Sequence, residues 1–115
     1  MKKVAVFLVI VLIMSMPMSA IAATRSLSVN PDLTFSGTTA KCTTTVLGND
    51  MSEYLVVTMK LMYGTSCVAS WNGSGYGYVY MDKTANAVKG RTYELVVEVT
   101  VNGVAKEPVS VTKTC

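Results

Sequence analysis

The side chains with the most chemistry to offer are three cysteines, Cys42, Cys67 and Cys115, and an aromatic run, Trp71, Tyr76, Tyr78 and Tyr80. A nucleophilic cysteine needs a base or a cation to hold its thiolate, and the chain has no histidine. Three cysteines without CxxC spacing and without histidine do not make a tetrahedral zinc set. The acids are Asp32, Asp50, Glu53, Asp82, Glu94, Glu98 and Glu107. Glu94 and Glu98 share one strand face, but four residues of strand separate them by ~13 Å, beyond the ~9.5 Å limit for paired glycosidase carboxylates. Gly73, Gly75 and Gly77 alternate inside a β pattern and open no helix, so they make no phosphate loop. Asp32, Asn49 and Asp50 are explained by turn chemistry before calcium binding. The serine and threonine hydroxyls have no base to activate them. The residues point away from an enzyme and imply no cofactor.

The aromatic run allows two readings. An exposed row of Trp71, Tyr76, Tyr78 and Tyr80 would stack on sugar rings or anchor a protein partner, where Tyr and Trp are enriched. The blander reading puts Trp71 in the core and makes the tyrosines cross-strand packing on a solvated face.

The elements that must position these residues begin after a leader. Met1-Lys2-Lys3 is a short cationic start, Val4 to Met14 is an apolar run, and Ala20-Ile21-Ala22 supplies small residues before a cut. These are the three parts of a secretory signal. The run is about half the ~20 residues that a spanning helix needs. No cysteine follows the cut to take a lipid, and no hydrophobic tail precedes Cys115. Residues 1–22 are thus expected to be removed and residues 23–115 to be secreted, without stable membrane insertion. Cutting leaves 93 of the 115 residues and eight basic against seven acidic side chains. A balance of +1 is too neutral for nucleic acid or a membrane surface bound by bulk charge. Ninety-odd residues make one small domain.

Within 23–115, period-2 alternation and turn residues replace any helical period. Ala40, Cys42, Thr44 and Val46 share a face, as do Val57, Met59, Leu61 and Tyr63, and Tyr93, Leu95, Val97, Val99 and Val101. Cys67, Ala69 and Trp71 share another. Asn72-Gly73-Ser74-Gly75 reads as a flexible break, Tyr76 to Met81 as one strand, and Asp82 to Lys89 as strand, loop or helical turn. Asn102-Gly103 is a type I′ hairpin signal. Pro108 places the last strand, Val104 to Cys115, at an edge or on a bulge. About seven short strands at this spacing predict an all-β, immunoglobulin-like antiparallel β-sandwich, with a closed barrel as the other β architecture.

Three cysteines allow one internal bridge and one remaining thiol. Loop entropy does not choose between partners: closing about 74 residues (Cys42–Cys115) is worth ~4.4 kcal/mol and about 26 (Cys42–Cys67) ~3.5 kcal/mol. If Cys67 is the remaining thiol, burial is its simplest fate. Its other use, intermolecular pairing, or homophilic contact through an exposed strand such as Val104–Cys115, would suit a structural or assembly protein.

The mature chain resembles the small secreted immunoglobulin-like proteins of Gram-positive bacteria that are known as domains of unknown function. The resemblance runs through Leu33 to Cys42, Ser70-Trp71 with Ser74-Gly75, Lys89 to Tyr93, Val101-Asn102-Gly103, and Val111 to Cys115. It implies a β-sandwich, export, a cystine between Cys42 and Cys115, and no established reaction. Tyr93 also looks like the tyrosine of immunoglobulin and fibronectin-type corners, whose hydroxyl bonds upstream backbone. The expectation is a non-enzymatic secreted module that binds an extracellular protein or glycan through an aromatic face.

Overall fold

The computed structural model describes residues 27–115; the leader expected at 1–22 lies outside the described residues. The strands are β1 (Ser28–Ser36), β2 (Thr39–Leu47), β3 (Tyr54–Tyr63), β4 (Ser66–Tyr76), β5 (Tyr78–Asn86), β6 (Thr92–Val101), β7 (Val104–Ala105) and β8 (Val109–Thr114). All pairings are antiparallel. One sheet has the order β1-β2-β5. The other has the order β4-β3-β6, with β7 and β8 both pairing with β6. The chain is an immunoglobulin-like antiparallel β-sandwich.

Alternation decides which faces meet. Ala40, Cys42, Thr44 and Val46 of β2 are buried, as are Leu55, Val57, Met59 and Leu61 of β3 and Tyr93 to Val101 at every second position of β6. Leu33, Val79 and Met81 complete the layer between the sheets. Each fully buried Val or Leu contributes about 1.5–3 kcal/mol. Thr44 is the one buried polar residue described, and its hydroxyl donates to the Asn30 carbonyl at 3.5 Å.

Tyr93 locks the lower corner. Its ring is buried between Phe35 and Tyr63, with centroids 5.8 and 5.7 Å away, and its hydroxyl accepts the Val88 N–H at 2.8 Å. The Arg91 guanidinium caps the outer side of Tyr63, 4.6 Å from the ring centroid. Tyr63, expected among the core residues of β3, is exposed at the end of that strand, flanked by the Tyr93 ring and the Arg91 cation. Asn102 (φ +50°) and Gly103 (φ +82°) form the left-handed turn that their pairing predicted. Pro108 falls in the gap between β7 and β8, which splits the expected last strand.

Three local expectations change. Asn72–Gly75 is not a flexible break but the interior of β4. The glycines are there because β5 folds over that strand. A Cβ at Gly73 would sit 3.1 Å from Met81 Sδ, and one at Gly75 2.8 Å from the Tyr78 carbonyl oxygen. Tyr76 to Met81 is not one strand, because Gly77 (φ +71°) turns the chain out of one sheet and into the other. Asp82 to Asn86 extends β5, and a loop follows from Ala87. Cys67 does not share the inward face of Ala69 and Trp71. The register shifts between Leu61 and Met62, pairing Leu61 with Ala69 but Met62 with Cys67, and Cys67 is exposed. One bulged residue reverses the parity that strict alternation assigns.

Candidate aromatic binding surface

Gly77 marks one end of the sandwich, and most of the large exposed apolar side chains gather around it. Leu47 and Tyr78 are cross-strand partners on the outer face of the three-stranded sheet, with Tyr80 next to them opposite Thr45. Tyr54 and Tyr76 are partners on the outer face of the other sheet, their ring centroids 5.1 Å apart. Met51 lies between the two pairs, over Gly77. A Cβ on Gly77 would be 2.6 Å from Met51 Cα and 2.7 Å from its sulfur. Tyr76, Tyr80 and Met51 are 65%, 54% and 70% exposed. These side chains form a rim around the tip that wraps from one sheet to the other. The described residues enclose no pocket.

The backbone under the rim is held at many points. Gly48 N–H donates to the Gly77 carbonyl at 2.9 Å, and Gly77 N–H to the Glu53 carbonyl at 2.8 Å. Inside the loop, Glu53 Oε1 accepts the Asn49 and Asp50 N–H groups at 2.6 and 3.1 Å, and Asp50 Oδ1 accepts the Ser52 N–H at 2.9 Å. The Asn102 side chain accepts the Tyr54 N–H at 2.9 Å, and Asn102 N–H donates to the Tyr54 carbonyl at 2.8 Å. A tyrosine brings a large contact area with few rotatable bonds. A rim held this firmly loses little further entropy when something binds it.

Of the four aromatics that an exposed row would hold, three are exposed, but on two sheets: Tyr76 on β4, Tyr78 and Tyr80 on β5. Trp71 is away from them. It is half-buried opposite Met59 and packs against the core. Leu47, Met51 and Tyr54 were not anticipated as part of the site. Only Gly48-Asn49-Asp50 signalled a loop near them, and nothing local shows that this loop folds onto Gly77.

The three cysteines carry free thiols. Cys42 is buried in the core, and burial pushes its thiol up to about 11. Cys115 is half-buried beside the β1–β2 turn, its Sγ 3.5 Å from the Gly37 carbonyl. Cys67 Sγ lies 3.4 Å from the Ala69 carbonyl. The implied Cys42–Cys115 bridge is not formed here. Among the described residues no group of three metal-ligating side chains comes together, and no helix is long and apolar enough to cross a membrane.

No family model matches the chain, and neither does any curated protein. Solved structures do show its fold. The chain is similar to part of a β-glucuronidase from glycoside hydrolase family 2, with a TM-score of 0.50 and 10% identity over 77% of this chain. It spans only 11% of that enzyme. It is also similar to the sensor domain of the anti-sigma factor RsgI4 of Pseudobacteroides cellulosolvens, with a TM-score of 0.50 and 13% identity. That match covers 79% of this chain and 97% of the sensor domain. At these identities the likeness is one of fold alone.

Proposed function

We propose that the chain is exported, loses residues 1–22, and serves outside the cell as a non-enzymatic immunoglobulin-like module. It binds an extracellular protein or glycan through the rim of Leu47, Met51, Tyr54, Tyr76, Tyr78 and Tyr80. The observation that carries this reading is the gathering of these exposed side chains around Gly77 on a hydrogen-bonded loop. Large apolar side chains held open to water cost solubility, and such patches mark contact sites. The purified protein should be screened against a glycan array and a panel of surface proteins beside a Met51→Ser/Tyr76→Ser/Tyr78→Ser variant. Losing two or three anchoring side chains should weaken a genuine hit by roughly a hundredfold or more. A variant that binds as the parent does would remove the rim from the account.

The exposure of Cys67 favours a second reading, an assembly protein joined through this thiol. Non-reducing gels decide it. A dimer that disappears in Cys67→Ser supports it, and a clean monomer counts against it.

A further inference from the structure

Besides the two-residue β7, four strands border the two sheets: β1 and β5 in one, β4 and β8 in the other. Three of them carry features that discourage pairing with another chain. β1 contains Pro31 and Asp32, and β5 contains Asp82 and Lys83. β8 is short and contains Lys113, which reaches Asp32 of β1 at 3.8 Å across the gap between the sheets. The exposed last strand expected from the sequence is thus tied to its neighbour. β4 differs. Its eleven residues, SCVASWNGSGY, include no charge and no proline, and its outer border has no strand partner among the described residues.

The segment Ala69–Gly75 is also complementary to itself when reversed. A two-fold axis through Asn72 sets Asn72 against Asn72 of a second copy, Ser70 against Ser74, Trp71 against Gly73, and Ala69 against Gly75. The exposed face of the strand carries Ser70, Asn72 and Ser74, so hydroxyl and amide groups meet hydroxyl and amide groups. On the other face Trp71 stands opposite Gly73 and Ala69 opposite Gly75, so no two large side chains collide across the axis, while the space over the glycines themselves is filled by Met81 and the Tyr78 carbonyl of the same chain. No like charges oppose each other anywhere in this register. A charged partner strand would find no counter-charge on β4, whereas a second copy finds a matching set.

We propose that two copies of this chain pair antiparallel through β4, centred on Asn72, and so join their larger sheets into one. The contact is isologous and closed, as a two-fold interface must be. It is independent of what the rim binds and of any cystine at Cys67.

The test is sedimentation equilibrium of the purified protein under reducing conditions, with the emission of Trp71, the only tryptophan, followed on dilution. The parent should dissociate reversibly, and the emission of Trp71 should change with it. Ser70→Glu/Ser74→Lys places opposite charges across the axis and should still dimerise. Ser70→Glu/Ser74→Glu places like charges there and should dimerise about tenfold more weakly or worse. Asn72→Lys opposes a charge to itself at the axis and should behave like the doubly acidic variant. Circular dichroism verifies that each variant is folded. A parent that is monomeric at every concentration overturns the proposal. So does a dimer that responds equally to both double variants, since the contact would then lie elsewhere or in another register.

Discussion

Gly77→Ala is the perturbation that bears most directly on how the rim is built. Gly77 has φ +71°, where an alanine costs about 1 kcal/mol relative to glycine. Gly37, at the β1–β2 turn, has φ +59° and nothing within 4 Å of where its Cβ would be. Gly37→Ala therefore reports the backbone term alone, about 1 kcal/mol. At Gly77 the new methyl would lie 2.6 Å from Met51 Cα, and backbone cannot rotate out of the way as a side-chain tip can. Overpacking of this kind costs about 1–3 kcal/mol. Lifting the loop to relieve it stretches the Gly48–Gly77 and Gly77–Glu53 hydrogen bonds, worth about 0.5–1.5 kcal/mol each. The expected loss is about 2–4 kcal/mol for Gly77→Ala against about 1 kcal/mol for Gly37→Ala, read from urea unfolding of both variants. Equal losses would show that the 48–53 loop does not sit on Gly77, and the rim would lose its foundation.

Other outcomes follow from the same geometry. Tyr93→Phe keeps the ring packing on Phe35 and Tyr63 but leaves the Val88 N–H without its acceptor. It should cost about 1–2 kcal/mol in denaturant unfolding, and a loss below about 0.3 kcal/mol would remove the corner from the account. Cys42 keeps its proton in the folded state up to about 11, against an ordinary value of 9.0. Below about 9 neither state ionises. Between about 9 and about 11 only the unfolded thiol does, so stability should fall with rising pH across that window by on the order of 2–3 kcal/mol. The stability difference between parent and Cys42→Ala should shrink accordingly, and a difference that stays constant to pH 11 would contradict a buried free thiol. Thiol titration of the purified protein should find Cys67 reactive at once and three thiols after unfolding. A single thiol would show that a bridge forms after all.

The strands themselves were legible because their inward faces alternate without interruption: Ala40 to Val46, Leu55 to Leu61 and Tyr93 to Val101 face the core as the pattern requires. The Asn102-Gly103 turn and the Tyr93 corner were legible because each depends on a residue type with one strong local use. What sequence reading lost were the places where tertiary contact overrides local preference. Gly73 and Gly75 look like a flexible break and are instead the room that β5 needs. Cys67 changed face through a bulge of one residue, which strict alternation has no means to register. The rim was half legible. Its tyrosines were visible as a row, but Met51, Leu47 and Tyr54 join them only through pairing across the sheets and the seating of a loop on Gly77.

The most direct test of the rim is backbone hydrogen exchange of the protein with and without the hit from the glycan and protein screens. Added protection should be confined to residues 47–54 and 76–80. Protection centred on the β1–β2 turn or the Ala87–Arg91 loop, with the Gly77 end unchanged, would contradict it.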